Sequence, residues 1–464
     1  MKKDLTTGAP ARQIFFFALP FLIGNLFQQF YNIADMVIVG RTIDSLAYAA
    51  VGSTGSLVWF ASGAIQSLTV GFSAVTARFV GANDEERIKH SFATAIKLSA
   101  IISILMAVLC VIFARPMLTL LRTPESLYEA AYEYIVWIFA GLIATALFNL
   151  LSNMIRALGD SKTPLYFLII ACLINIALDV IFIVCFKMGT AGAGLATVIA
   201  QLISGLLCIL YMIKKHPALH LKKRHFTPDL IMVKDLLRIG IPMAFLNMVL
   251  SIGSVIVQFV TNGFGDIYVS AQVTGSKIES FLIQPLLSFG SAVSVFAAQN
   301  HGAKNYKRVL DGGKKTLWMS FAWCVIAALI LLPFGKFFIR LIAGAQTDAT
   351  IVDYAYYYIL INTVMTFIVS ALIVFKSVLQ PVGRTTWSMI SGFTEILGRG
   401  GVAVLVVVLT AANVVDQANG FLLVCFANPT AWLFGLLTVV VDYALMCKTF
   451  KQLSEHTERS HYEL

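Results

Sequence analysis

The chain has 464 residues, of which 58% are hydrophobic and only 12% charged, and its mean hydropathy is +0.83. Soluble domains carry roughly 25% charged residues, so a string of soluble domains is excluded. The net charge of +10 reflects basic loops between apolar runs, which points to membrane topology and not to nucleic acid.

Each apolar run reaches the roughly 20 residues that a spanning helix needs. In chain order they predict spans over 13–39, 49–77, 92–114, 127–155, 163–186 and 190–213. Six more follow over 236–263, 269–298, 315–338, 351–380, 386–411 and 417–447. The polar start, MKKDLTTGAPARQ, leads into the first run without a small-residue cleavage site, so that run is read as retained. Breaker-rich turns punctuate the chain at 81–84 (GAND), 159–162 (GDSK), 302–305 (GAKN) and 381–384 (PVGR). The longest connection, 214–235, contains KKHPALHLKKRH. Seven cysteines lie in or beside apolar runs with no CxxC pair, so neither a disulfide framework nor a metal site is expected.

Twelve spans with a cytoplasmic start assign every loop to a side. The inside loops then hold 24 Lys and Arg residues, and the outside ones hold Arg41, Arg115, Arg122, Lys187, Lys336 and Arg340. That bias supports twelve spans with both termini in the cytoplasm. An internal repeat is also visible. Leu19-Pro20 and Ile241-Pro242 open the first and seventh helices at an offset of 222. The turns at Gly81 and Gly302 are related by 221, and those at Gly159 and Gly383 by 224. The fold class is therefore an all-α polytopic membrane protein, with twelve helices in two six-helix pseudo-symmetric lobes. Residues 1–213 form the amino-terminal lobe, 214–235 a cytoplasmic linker, and 236–464 the carboxy-terminal lobe and tail. Six spans per half make the repeats parallel, an arrangement that transporters place around a central site.

Ionisable groups at membrane depth are costly and mark function by default. Asp35, Asp179, Glu279 and Glu395 lie inside spans, as do Lys97, Lys277, Lys376 and Arg399. In the first half, Asp35 has no basic partner at its depth, and Asp179 follows Asn175 by one helical turn, so these two share a face. Asn149 and Thr197 lie at comparable depth. Two unpaired carboxylates attract a cation or hold a proton, and amide and hydroxyl oxygens complete a shell for sodium. The alternative is a hydrogen-bonded pair stitching helices together. In the second half, Lys277, Glu279, Lys376, Glu395 and Arg399 are able to pair with one another, as structure, gate or substrate contact. Gln28 and Tyr31 join them as candidate substrate or gate residues, and Phe30 and Trp59 are candidate cavity aromatics. No GxxxxGK[ST] or hydrolase motif appears, so transport should be secondary and the chain should not be an enzyme.

The segment from Leu26 to Arg41 (LFQQFYNIADMVIVGR), the loop from Arg156 to Pro164 (RALGDSKTP) and the segment Asn175–Asp179 (NIALD) resemble the MATE family of multidrug and toxic compound extrusion antiporters. The resemblance spans essentially the whole chain. It implies alternating access between two lobes and export of amphipathic, cationic drugs in exchange for H⁺ or Na⁺. By position, Asp35, Asn149, Asn175, Asp179 and Thr197 match the amino-lobe cation site of the DinF-like branch, with Na⁺ or H⁺ at Asp35 and Asp179. Where a related member has an Asn one turn after the helix 4 Asn, this chain has Ser152 followed by Asn153. The acids that the NorM-like branch carries in helices 7 and 10 are absent, with Leu250 and Lys376 near those places. No cofactor is expected beyond the coupling ion. Expected partners are small organic cations and membrane lipids, with no nucleic acid, around a monomer in a bacterial inner membrane. The rival reading is a flippase for polyprenyl-linked sugars or lipids, and a non-transporting scaffold is a third.

Overall fold

In lipid every backbone polar group must be satisfied within its own segment, so an apolar chain of this kind is driven into helices. The computed structural model describes residues 4–43, 45–121, 123–215, 220–344 and 346–462. Lys2, Lys3 and Arg122, counted above, lie outside them, as do positions 216–219 of the central connection and the side chain of Arg459. The helices are α1 (Pro10–Thr42), α2 (Ser45–Ser53), α3 (Gly55–Gly81), α4 (Glu85–Leu120), α5 (Glu125–Ala140), α6 (Leu142–Ala157), α7 (Lys162–Asp179) and α8 (Gly189–Lys215). They continue as α9 (Leu230–Asn262), α10 (Asp266–Gly302), α11 (Tyr306–Ala343), α12 (Ala349–Leu379), α13 (Thr386–Ala411), α14 (Gln417–Val424) and α15 (Ala427–Tyr462). Among the described residues, eleven helical segments are long and apolar enough to cross a membrane, and a twelfth arises if the bent pair α5 and α6 is one span.

Three differences from the sequence reading have local causes. The prolines Pro20 and Pro242 do not open helices but lie inside α1 and α9, which start ten or more residues earlier. Amphipathic turns precede the apolar window, and a proline inside a helix loses one hydrogen bond without ending it. The second predicted span is broken between α2 and α3 at Thr54, whose hydroxyl donates to the Val51 carbonyl. The fourth bends by 46° at Gly141. A Cβ on Gly141 would lie 2.1 Å from Cγ2 of Val198, so α8 requires glycine there.

The chain forms two compact units. One comprises Phe16–Met248 with Met1–Thr7 and Ala298–Lys304, and the other Val249–Ala297 and Asn305–Leu464 with Gly8–Phe15. In the first unit α6 packs on α3, α4 and α8, and α7 packs on α8. Leu68, Phe72, Phe92, Leu151 and Met154 form its core. In the second unit α12 packs on α11 and α15, and α13 packs on α15. Its core contains Val257, Ile339, Ile359 and Phe421.

The repeat is written in the backbone as well as in the sequence. Asn83 and Lys304 both take left-handed φ, at 55° and 60°, and Gly159 and Gly383 do so at 90° and 93°. Lys187 and Asn413, each with φ 53°, form a further pair at a similar separation. Within the first unit, a Cβ on Gly81 would lie 1.8 Å from the Gln299 carbonyl oxygen, and one on Gly302 would lie 1.8 Å from that of Arg78. These contacts are reciprocal, because each glycine meets the carbonyl three residues before its counterpart. The amino-terminal segment is tied down beside them: Leu5 is 1% exposed, its amide donates to Gln299, and its carbonyl accepts from Asn300.

Loops outside the spans carry polar anchors. Lys97, read above as lying inside a span, donates to the Phe226 carbonyl and lies 5.4 Å from that ring's centroid. It thereby pins the 3₁₀ turn Lys223–Phe226 of the central connection to α4. In the 158–161 turn, burial alone would raise the carboxyl of Asp160. The hydroxyl and amide of Thr163, the Tyr211 hydroxyl and the Lys162 amide donate to it and hold it below the ordinary carboxylate range. A depressed carboxyl contributes stability that is present above the unfolded value of about 3.9 and is lost as pH falls through the folded value. We therefore expect Asp160→Asn to lower the melting temperature at pH 7. The gap to the parent protein should narrow as the pH drops below about 4. Thermal unfolding in detergent across that range checks it, and a gap independent of pH would contradict it.

Candidate functional site

The first-half acids meet inside the first unit. On α1, Gln28, Tyr31 and Asp35 fall on one face at helical spacing. Gln28 is exposed, Tyr31 half-buried, and Asp35 5% exposed. On α7, Asn175 and Asp179 are one turn apart and are 1% and 0% exposed. Directly after Asp179 the chain winds as a π-helix over Val180–Cys185, a widening that is rare and recurs at functional sites. Asp35 and Asp179 lie within electrostatic reach of each other, of Tyr31 and of the buried Tyr134 on α5.

Thr197 on α8 organises this cluster. Its hydroxyl donates to the Ala193 carbonyl at 3.2 Å. It accepts from the Asn175 amide at 3.4 Å and lies 3.0 Å from the Tyr31 hydroxyl. Thr197 thus joins α8 to Tyr31 on α1 and to Asn175 on α7. It orients Tyr31 and Asn175. Asn149 on α6 is half-buried, and α6 packs on the helix that carries Thr197. Asn153, one turn later, is spent elsewhere: it donates to Thr69 and accepts from Arg156. The Ser152 hydroxyl lies 3.8 Å from the Cys208 sulfur.

What remains is a set of buried oxygens. Asp35 Oδ1, Asn175 Oδ1 and both carboxylate oxygens of Asp179 receive no hydrogen bond from another residue, while the two carboxyls lie close enough to share a proton. No ammonium or guanidinium group contributes to the electrostatic surroundings of either carboxyl among the described residues. Buried anionic oxygens without donors are strongly disfavoured, and a proton or a small hard cation relieves that cost. No group of three or more His, Cys, Asp or Glu side chains is placed to hold a metal among the described residues. The two carboxylates and the Asn175 amide oxygen are hard oxygen donors, the kind a small hard cation takes.

The second-half charges form a different kind of assembly in the second unit. Lys376 on α12 pairs with Glu395 on α13 at 2.5 Å. The Ser391 hydroxyl donates to the same carboxylate at 3.2 Å. Arg399 donates from Nε to Asn428 Oδ1 at 3.1 Å, the Asn428 amide donates to the Tyr358 oxygen at 3.4 Å, and Tyr358 donates to Glu279 at 2.5 Å. This donor chain runs from a cation to an anion across α13, α15, α12 and α10. Lys277 stands apart: it is exposed and joins no ion pair among the described residues. Of the five charges, Lys376 and Glu395 are joined directly, and Arg399 and Glu279 through Asn428 and Tyr358. Tyr134, Tyr358 and Asn428 escape sequence reasoning, because each is a single uncharged residue in an apolar run. Arg384 and the buried Asp442 add a further pair at 2.7 Å.

A family model described as MatE matches residues 20–181 and 242–399. The probable multidrug resistance protein YoeA of Bacillus subtilis is 29% identical over 343 residues, covering 72% of this chain and 74% of that protein. The FAD transporter of Shewanella oneidensis is 22% identical over 431 residues, or 91% of this chain and 92% of its own length. Among solved structures, the outward-facing conformation of a multidrug resistance MATE family transporter of the MOP superfamily superposes with a TM-score of 0.86 at 20% identity. That match covers 97% of this chain and 98% of the other, and at such identity it speaks for the fold.

Proposed function

Because the chain belongs to the MatE family of multidrug efflux transporters, we propose that it exports amphipathic organic cations across a bacterial inner membrane in exchange for inward H⁺ or Na⁺. The observation that carries this reading is the buried Asp35–Asp179 pair, of which Asp35 Oδ1 and both Asp179 oxygens receive no hydrogen bond from another residue and which has no basic neighbour among the described residues. Asn175 adds an amide oxygen and Thr197 joins it to Tyr31, and Asn149 belongs to the same proposed site on α6, which packs on the helix of Thr197. Both carboxyls can take up a proton or share a sodium ion, and their close coupling makes them titrate as one unit. Binding on one side and release on the other would bias an equilibrium between two access states, by no more than the ion's differential affinity for them. The loop charge bias supports both termini on the cytoplasmic side.

Reconstituted vesicles loaded with ethidium test the reading, with a pH gradient and a sodium gradient imposed separately. Efflux should accelerate under at least one of the two and stay at the leak rate when no gradient is imposed. Leak-rate efflux under both would remove the antiporter reading and leave the lipid-linked sugar flippase as the stronger one.

A further inference from the structure

The segments that lead into α1 and α9 are anchored by one pattern in both halves of the repeat. Leu5 lies five residues before Pro10, where α1 begins, and His225 lies five before Leu230, where α9 begins. Each is 1% exposed, whereas the residues on either side of them are exposed or half-buried. Each lead-in is held by the other half of the sequence. The Gly8 carbonyl accepts from Arg308 Nη1 on α11 at 2.8 Å, and the Phe226 carbonyl accepts from Lys97 on α4. α4 and α11 are counterparts in the repeat, since each follows one of the Gly81 and Gly302 turns. Leu5 meets Gln299 and Asn300 at the end of α10, and Arg224 meets Glu86 on α4 at 2.8 Å. The clasping is therefore crossed.

The amino-terminal lead-in sits on a close-packed seam within the first unit. Ala77, Ala157 and Ala298 pack together there, at 1%, 1% and 0% exposed. The Gln299 side chain accepts from the Leu5 amide and donates to the Ala157 carbonyl at 2.7 Å. The reciprocal Gly81 and Gly302 contacts leave no room for a side chain on either glycine. The seam thus joins the end of a second-half helix to two first-half turns, and the loop charge bias supports its lying on the cytoplasmic side. A transporter that admits substrate from the cytoplasm must part such a seam. Packed contacts of this kind switch between discrete arrangements and do not stretch gradually.

We propose that the two lead-ins are a crossed pair of latches that hold this seam shut, and that both must leave their seats before substrate enters from the cytoplasm. The proposal goes beyond the antiporter reading and takes from it only that the cytoplasmic side opens and closes. Moving a leucine side chain from a buried seat into water changes an equilibrium by about tenfold or more, so the Leu5 seat is able to set the balance between the closed and open seam.

The test uses the full chain in nanodiscs, with the exposed Cys185 and the half-buried Cys447 changed to serine and Ala298→Cys as the reporter. A maleimide reaches the reporter only when the seam parts. Leu5→Ala should raise the labelling rate roughly tenfold, Leu5→Met should stay near the parent rate, and Lys97→Gln should raise it in the same direction. Ala157→Cys, across the seam, gives a second reporter should the first disturb the packing. The buried Cys110, Cys208, Cys324 and Cys425 report general unfolding and should remain unlabelled. An unchanged rate in both variants, a rise in only one of them, or a rise matched at the buried cysteines would each overturn the proposal. The readout needs neither a gradient nor a transported dye, so a failure of ethidium antiport is distinguishable from a failure of the latches.

Discussion

Asp35→Asn and Asp179→Asn should each reduce gradient-driven efflux to the leak rate, a loss of more than about tenfold, equivalent to at least about 1.4 kcal/mol of lost driving interaction. Asparagine preserves the volume of aspartate and its capacity to accept hydrogen bonds. It removes the charge and the exchangeable proton. The buried oxygens of this pair receive no hydrogen bond from another residue and have no base beside them among the described residues, so two charges in the parent protein carry an electrostatic penalty that the variants reduce. Their melting temperatures in detergent should therefore be unchanged or higher, the usual relation where a site is tuned for activity at the expense of stability. A stitching pair would behave in the opposite way: the variants would melt lower and retain coupling. Full efflux in both variants would remove the amino-lobe coupling site.

The second large effect belongs to the other unit. Glu395→Leu leaves the Lys376 ammonium without its 2.5 Å partner in a setting where the two side chains are 12% and 4% exposed. Breaking one side of a buried pair costs about 3–5 kcal/mol, whereas replacing both sides with apolar groups of similar size is close to neutral. The single variant should therefore unfold at a markedly lower temperature, and adding Lys376→Met should restore most of the loss. Thermal unfolding of the three variants beside the parent protein checks the cycle. A single-variant cost below about 1 kcal/mol, the range of exposed pairs, would show that the pair contributes little.

These two expectations differ because the two units treat charge differently. In the first, Thr197 joins Tyr31 and Asn175, and the carboxylates have no base beside them among the described residues. In the second, Tyr358 and Asn428 relay between Arg399 and Glu279, so that charges on α13 and α10 are joined without direct contact. The two halves of the sequence repeat one backbone pattern, seen in the paired left-handed residues Asn83 and Lys304 and in Gly159 and Gly383. Divergence has acted on the embedded polar residues while the turns kept their shape.

Much of this was legible in the chain. The spans were visible because burying an apolar residue in lipid is favourable residue by residue, so composition over about 20 positions suffices. The turns were visible because glycine and asparagine tolerate left-handed φ where other residues do not. Asp35 and Asp179 stood out because an embedded carboxylate is costly wherever its partners lie. What the local sequence could not decide was which groups meet across helices. That Thr197 meets Tyr31 and Asn175, that Tyr134 borders both carboxyls, that Lys376 finds Glu395 and that Lys277 joins no ion pair among the described residues all depend on side chains brought together from separate helices. Hydrogen bonds and ion pairs act over a few ångströms, and residues far apart in the chain come within that range only once the helices have packed.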